Sequence, residues 1–215
     1  MINSDKYCNR LVRLFLHYLE DKEQISSEQL NQIKKKLTSI KEGVDNNVPT
    51  VQEIMQVLSQ LTENNKLVYL VYLVSGVRKI EGEYLLNNLD KLKVQQLDGF
   101  VKITMNYLRH NKNSYFCYLP QDVYNQLNTK NKSLSIYSLE SEIKRKKLIP
   151  IKYCRKWFYT KCIEIGVPES IADYYQGRVA NSVGSNHYLS RQLLADQNYS
   201  KIVSYLNSLF GGKAL

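Results

Sequence analysis

The sequence predicts an α+β fold, mostly helical with a small antiparallel sheet. Three observations carry this reading. Apolar residues recur at helical spacing through most of the chain. Two adjacent stretches, FVKITMNYLR (100–109) and NSYFCYLP (113–120), are instead rich in β-branched and aromatic residues. The most apolar run, LVYLVYLVSGV (67–77), is eleven residues long, which suits a buried helix and is too short to span a bilayer.

The elements follow in order. Residues 7–20 carry Leu11, Leu14, Phe15, Tyr18 and Leu19 as a helical stripe. Ser26 with Gln29 forms a capping-box pattern, and Leu30, Ile33, Leu37 and Ile40 continue at 3-4-3 spacing. EGVDNNVPT (42–50), rich in Gly, Asn and Pro, is the best linker candidate. Thr50 then caps a new helix with Glu53 at the reciprocal position, and Val51, Ile54, Met55, Leu58 and Leu61 form its expected buried face. After the apolar helix and SGVRKIEGEYLLNNL, the two β-rich stretches read as a hairpin around HNKN, an Asn-rich turn without glycine. From Gln121 the patterns are helical again, broken at Pro150, at Gly166–Pro168 and at Gly177. SKIVSYLNSLF (200–210) forms a last amphipathic helix, ended by Gly211–Gly212. There is no internal repeat.

The length of 215 residues allows one sizeable core domain, or one domain with a small appendage. With 43% hydrophobic and 23% charged residues the chain reads as globular. Its net charge of +10 favours an anionic partner, nucleic acid or a membrane surface. Most of that charge sits in one place: Lys130 to Lys161 holds ten Lys/Arg against Glu140 and Glu142. The four cysteines (8, 117, 154 and 162) form no C-x-x-C pair and the three histidines lie far apart, so metal-ligand spacing is absent. With no secretory signal at the start, the cysteines read as reduced thiols in a cytosolic setting.

Three stretches, VSGVRKIEGEYLL (74–86), KYCRKWFYTKCIEIGVPESIADYYQGR (152–178) and SVGSNHYLSR (182–191), resemble the signature boxes of the tyrosine recombinases, or phage-type integrases. In detail the chain looks most like integrases of archaeal spindle-shaped viruses (fuselloviruses) and related archaeal plasmids. Each box is a weak signal alone; their order and spacing together are strong. The resemblance implies a catalytic set. Arg78 stands at the family's first arginine, followed three residues later by Glu81. Lys112, eight residues before Pro120, stands at the catalytic lysine of the hairpin. The family's H-x-x-R box reads Lys152-Tyr-Cys-Arg155, with Lys replacing His as in the archaeal viral branch, and Gly177-Arg178 replaces the usual Gly-His. Tyr188, ten residues after Arg178 and thirty-three after Arg155, takes the place of the nucleophile.

The residue types suit that chemistry. A free phenol, with a pKa of about 10, is a poor nucleophile unless neighbouring cations stabilise the phenolate as it forms. Attack on a phosphodiester adds negative charge to the non-bridging oxygens, and the fixed forks of Arg78 and Arg155 match it, with Arg178 as a further donor. Lys112 is the candidate general acid for the leaving 5′ oxygen, and Lys152 assists by proton transfer or charge. Lys144, Arg145, Lys146, Lys147 and Lys156 are the candidate DNA-contacting residues. No metal or cofactor is implied.

What the resemblance implies is a site-specific recombinase that cleaves through a 3′-phosphotyrosine and integrates viral or plasmid DNA. It would act as a homo-tetramer on double-stranded DNA, DNA-associated in the host cytoplasm, with no membrane partner. Residues 1–45 are expected to be the end of a helical core-binding domain, 46–199 the catalytic domain, and 200–215 a terminal helix and tail. Ile202, Val203, Tyr205, Leu206, Leu209 and Phe210 give that helix an apolar face, expected to pack on the catalytic domain in cis or in trans. Each residue also has a plainer reading. Arg78–Glu81 suits an ion pair at a helix end, Lys152–Arg155 and the KRKK run a solvated face, and Lys112 surface decoration. Tyr174, Tyr175, Trp157, Phe158, Cys154 and Cys162 read as core. Two rival functions share features of this pattern: type IB topoisomerase-like strand relaxation, and a non-catalytic DNA-binding module.

Overall fold

The computed structural model describes residues 4–37, 45–108, 114–130, 134–178 and 186–210, with side chains from residue 8 and, in the last segment, from residue 191. The chain forms two compact units, residues 1–46 and 47–215.

The first unit holds α1 (Ser4–Asp21) and α2 (Ser27–Lys36), which pack against each other. The capping box at the start of α2 is formed: Gln29 N–H donates to Ser26 Oγ (3.2 Å) and Ser26 N–H to Gln29 Oε1 (2.9 Å). Among the described residues of this unit Leu16 and Leu30 are buried, whereas Leu11, Leu14, Phe15 and Tyr18 are all more than half exposed. The helix follows the predicted period, and these four apolar residues of its stripe are exposed. Ile40 and residues 42–44 of the expected linker lie outside the described residues.

The second unit is built around one helix. α3 (Val51–Gln60) starts at the predicted box, with Glu53 N–H donating to Thr50 Oγ1 (3.2 Å) and Thr50 N–H to Glu53 Oε2 (2.7 Å). Its buried face is Ile54, Val57, Leu58 and Leu61. Met55, expected on that face, is exposed, because the i, i+3, i+4, i+7 row that meets the core runs through Val57. α4 (Glu63–Ser75) is buried all round from Leu67 to Ser75 and packs against α6 (Gln121–Lys130), α7 (Ile136–Lys146), α8 (Lys152–Glu164) and the sheet. A helix apolar on every face is what the LVYLVYLV run predicted.

α5 (Lys79–Asn88) and a 3₁₀ turn (Leu89–Lys91) lead into a three-stranded antiparallel sheet: β1 (Lys93–Leu97), β2 (Phe100–Tyr107) and β3 (Ser114–Pro120). The predicted hairpin is β2–β3. Its register pairs Phe100 with Pro120, Lys102 with Tyr118 and Thr104 with Phe116, and shifts between Thr104 and Tyr107. β1 has no counterpart in the sequence reading. KVQQL is polar, and only Val94 and Leu97 pack on the core, so it carries little apolar signal.

α9 (Glu169–Tyr175) follows the Gly166–Pro168 break, and α10 runs without interruption from Asn186 to Phe210. The helix expected over 200–210 is therefore the second half of a longer one, and the boundary expected at residue 200 falls inside it. Its apolar face packs within this chain: Ile202, Val203 and Leu206 belong to the core, with Tyr205, Leu209 and Phe210 against it. Gly211–Gly212 lie outside the described residues. Among the described residues, no helix is long and apolar enough to cross a membrane.

Candidate functional site

The first box is a helix junction. α4 ends at Gly76, whose φ of 64° turns the chain through the left-handed region while its N–H donates to Tyr72 O (3.1 Å). A Cβ at this glycine would run into the ring of Phe158 on α8. Glycine thus serves twice here, for the turn and for the close approach of α8. Two residues on, Arg78 is the N-cap of α5. The carboxylate of Glu81, buried at the third position of the helix, accepts from Arg78 N–H (2.7 Å) and from Arg78 Nη1 (2.5 Å). An anion suits a helix N-terminus, and here it also fixes the direction of the guanidinium. Gly82 completes the box, since a Cβ there would strike the Tyr72 ring, and Tyr72 Oη donates to Lys79 O (3.0 Å).

The second box supplies Arg155, three residues before Phe158 on the same face of α8. Its Nη1 donates to Gly76 O (2.9 Å) and its Nη2 to Gln176 O (2.7 Å). Gln176, fully buried, returns a bond from Nε2 to Arg155 O (2.7 Å). Gly177, with φ of 58°, reverses the chain after α9, and its carbonyl accepts from Arg78 Nη2 (3.3 Å). Arg178 then emerges to solvent, its guanidinium 5.2 Å from the Tyr159 ring centroid and 3.7 Å from Asp173 Oδ1.

The arginines at 78, 155 and 178 are thereby drawn to one place, 100 residues apart in sequence from first to last. The electrostatics record their nearness. Burial, and next the charge of Arg78, pull the Arg155 pKa down to about 9, with Arg178 adding to the effect and Glu81 opposing it. Arg155 therefore stays charged at neutral pH, but as a partly desolvated cation beside two others. Such a group gains more from an incoming anion than a solvated one does.

The other predicted residues fall into three groups. Lys152, exposed at the start of α8, lies with its Nζ 4.5 Å from the Tyr153 ring centroid, and Lys156 Nζ is 5.3 Å from the same ring. Both share α8 with Arg155. Lys144, Arg145, Lys146 and Lys147 end α7 and are exposed, but they are not equivalent. Lys146 Nζ contacts Glu142 Oε1 (2.7 Å) and Gln60 O (2.5 Å), while Lys147 is the left-handed cap, φ 55°. Lys112 and the side chain of Tyr188 lie outside the described residues; the backbone of Tyr188 is in the first turn of α10.

Three contributors escaped the sequence reading: the carbonyls of Gly76, Gln176 and Gly177, which orient the two half-buried arginines. A signal existed in the glycine that precedes an arginine in both boxes, since each turns the chain so that its carbonyl faces the neighbouring box. The core readings of Trp157, Phe158, Cys154, Cys162, Tyr174 and Tyr175 agree with their burial.

No curated protein matches the chain. A family model described as archaeal phage integrase matches residues 46–205, which takes in the whole arginine cluster, the sheet and most of α10. The chain belongs to the archaeal phage integrase family.

Proposed function

We propose that this integrase is a tyrosine-type site-specific recombinase, with Tyr188 as nucleophile. The Tyr188 phenolic oxygen forms a bond to the scissile phosphorus as the bond to the 5′ oxygen breaks, leaving a 3′-phosphotyrosine and a 5′-hydroxyl. The 5′-hydroxyl of another strand then attacks the phosphotyrosine and restores the phosphodiester. Bond energy is conserved in the covalent link, so no nucleotide cofactor takes part.

The observation that carries the reading is the meeting of Arg78 and Arg155 around the carbonyls of residues 76, 176 and 177, with Arg178 near enough to lower the Arg155 pKa. A guanidinium has five N–H donors, and these contacts occupy two on Arg155. The remaining donors, fixed in direction before substrate arrives, suit the charge that grows on the non-bridging oxygens. Arg78 and Arg155 take that charge, and Arg178 adds a bond from the exposed side. Lys112 gives its proton to the departing 5′ oxygen. Lys152 takes the place of the family's usual histidine and handles the tyrosine's proton or its charge. Lys144–Lys147 and Lys156 contact the phosphate backbone, and four copies act on two duplexes.

The test is an SDS-stable protein–DNA adduct on a nicked duplex. Its site is chosen from random-sequence DNA that the wild-type chain retains. The wild-type chain is expected to form the adduct, and Tyr188→Phe to abolish it with DNA affinity within a few-fold. An adduct of normal yield in the Phe variant would remove Tyr188 from the role. Joining of strands from two different duplexes distinguishes recombination from topoisomerase-like relaxation.

A further inference from the structure

A lysine sits in the middle of an apolar strand. Lys102 on β2 is 3% exposed, between Val101 and Ile103, which are fully buried. The strand register sets it opposite Tyr118 on β3, so both side chains leave the same face of the sheet. Both meet the same carboxylate on α10: Lys102 Nζ donates to Asp196 Oδ2 (2.5 Å) and Tyr118 Oη to Asp196 Oδ1 (2.7 Å). Burial and the Asp196 carboxylate raise the Tyr118 pKa well above the ordinary phenol value, so this phenol remains a donor.

We propose that Lys102, Tyr118 and Asp196 are positioning residues that set the register of α10 and, through it, the approach of Tyr188 to the scissile phosphate. The proposal rests on the nucleophile assignment above. A buried ion pair adds little stability over apolar residues of similar volume, but it does select one geometry. Its neighbours explain why that matters here. Tyr175 Oη donates to Ala195 O (2.6 Å), and Tyr199 Oη lies 2.8 Å from Val74 O and 3.0 Å from Tyr118 O. With Asp196, these fix one turn of α10, residues 195–199, to the sheet, to α4 and to α9. Aromatic packing resists separation yet tolerates sliding; a carboxylate bonded through both oxygens does not. Tyr188 lies eight residues upstream on the same helix, about 12 Å along its axis at the usual rise. Over that lever a tilt of about 5° at the clamp moves the tyrosine by about 1 Å, a displacement that can cost about 100-fold in rate.

The deciding variant combines Lys102→Met, Tyr118→Phe and Asp196→Leu, which removes both charges and the hydroxyl that the loss of Asp196 would leave unpaired, and keeps the volume apolar. On the nicked duplex described above, this combined variant is expected to melt and bind DNA close to wild type. It should form adduct about 100-fold more slowly. Amide exchange should quicken across residues 186–196, and Asp196→Glu should fall between. Wild-type cleavage in the combined variant would overturn the proposal, as would losses of stability, affinity and cleavage in parallel. If Tyr188→Phe still forms adduct, the nucleophile assignment fails and the clamp does not. The exchange measurement then decides the clamp alone: faster exchange across 186–196 supports it, unchanged exchange overturns it.

Discussion

Two concentrations of positive charge, the arginine cluster and the end of α7, differ in burial and in partners. Arg155 is half-buried, bonded to two carbonyls, and pulled down in pKa by burial and by Arg78. Lys144, Arg145 and Lys147 stand in solvent at the end of α7. Fixed, desolvated forks suit charge that appears only in a transition state. Solvated point charges suit a phosphate backbone, where affinity comes from released counterions. Under the proposed function the difference divides chemistry from grip, and four variants test the division.

The largest effect is expected at Arg155. Arg155→Lys keeps one charge but cannot reach Gly76 O and Gln176 O together, so the orientation is lost. Single-turnover adduct formation should fall by about 100- to 1,000-fold, with DNA affinity within a few-fold. Equal losses in rate and affinity would place Arg155 with the gripping charges instead. Next comes the turn that holds its acceptor. Gly76→Ala puts a Cβ into the Phe158 ring at a φ of 64°, combining strain and overpacking. Urea denaturation should show a loss of about 3 kcal/mol, and cleavage should weaken further because Gly76 O moves.

Much of this was legible before any coordinates. Both capping boxes, the all-round apolar α4 and the β2–β3 hairpin follow from local patterns, and the arginine boxes from the family resemblance. What escaped depends on contacts between distant segments. Periodicity says that a face is apolar and not what covers it, so the exposure of Leu11, Leu14, Phe15 and Tyr18 was invisible. Nothing in the local sequence marks Lys102 as buried. Its burial needs Asp196, 94 residues away, to make it tolerable. Likewise, carbonyl acceptors carry no side-chain signature, so the partners of Arg155 could not be read from residue types.

Glu142 tests whether α7 has a structural charge apart from its gripping ones. It is buried under the start of α4, accepting from Thr62 N–H and Oγ1, Asn65 Nδ2 and Lys146 Nζ. Burial raises its pKa, and these donors together outweigh that and hold it at about 2. Because the folded value lies below the unfolded one, of about 4.3, the stabilisation is fully present above that pH and is lost as pH falls towards 2. Glu142→Gln should therefore cost about 2 kcal/mol at neutral pH. The gap between the two urea midpoints should narrow below pH of about 4. A gap that stays constant with pH would mean the carboxylate's charge contributes nothing.

The smallest effect, and the one that most sharpens the comparison, comes from reversing the exposed charges. Lys146 must be left intact, since its ammonium already serves Glu142 and Gln60 O and its loss would confuse grip with stability. Lys144→Glu with Arg145→Glu changes only solvated groups. If each contacts one phosphate, the slope of log affinity against log salt should become shallower by about 0.9 per contact, because fewer counterions are released. Affinity at moderate salt should fall by about tenfold, while the cleavage rate at saturating DNA should not change. That pattern is the inverse of the one expected for Arg155→Lys. An unchanged slope would mean that the end of α7 faces away from DNA, leaving Lys152 and Lys156, which share α8 with Arg155, as the candidate contacts. A reduced cleavage rate at saturation would break the division itself, since a solvated charge would then be contributing to the chemical step.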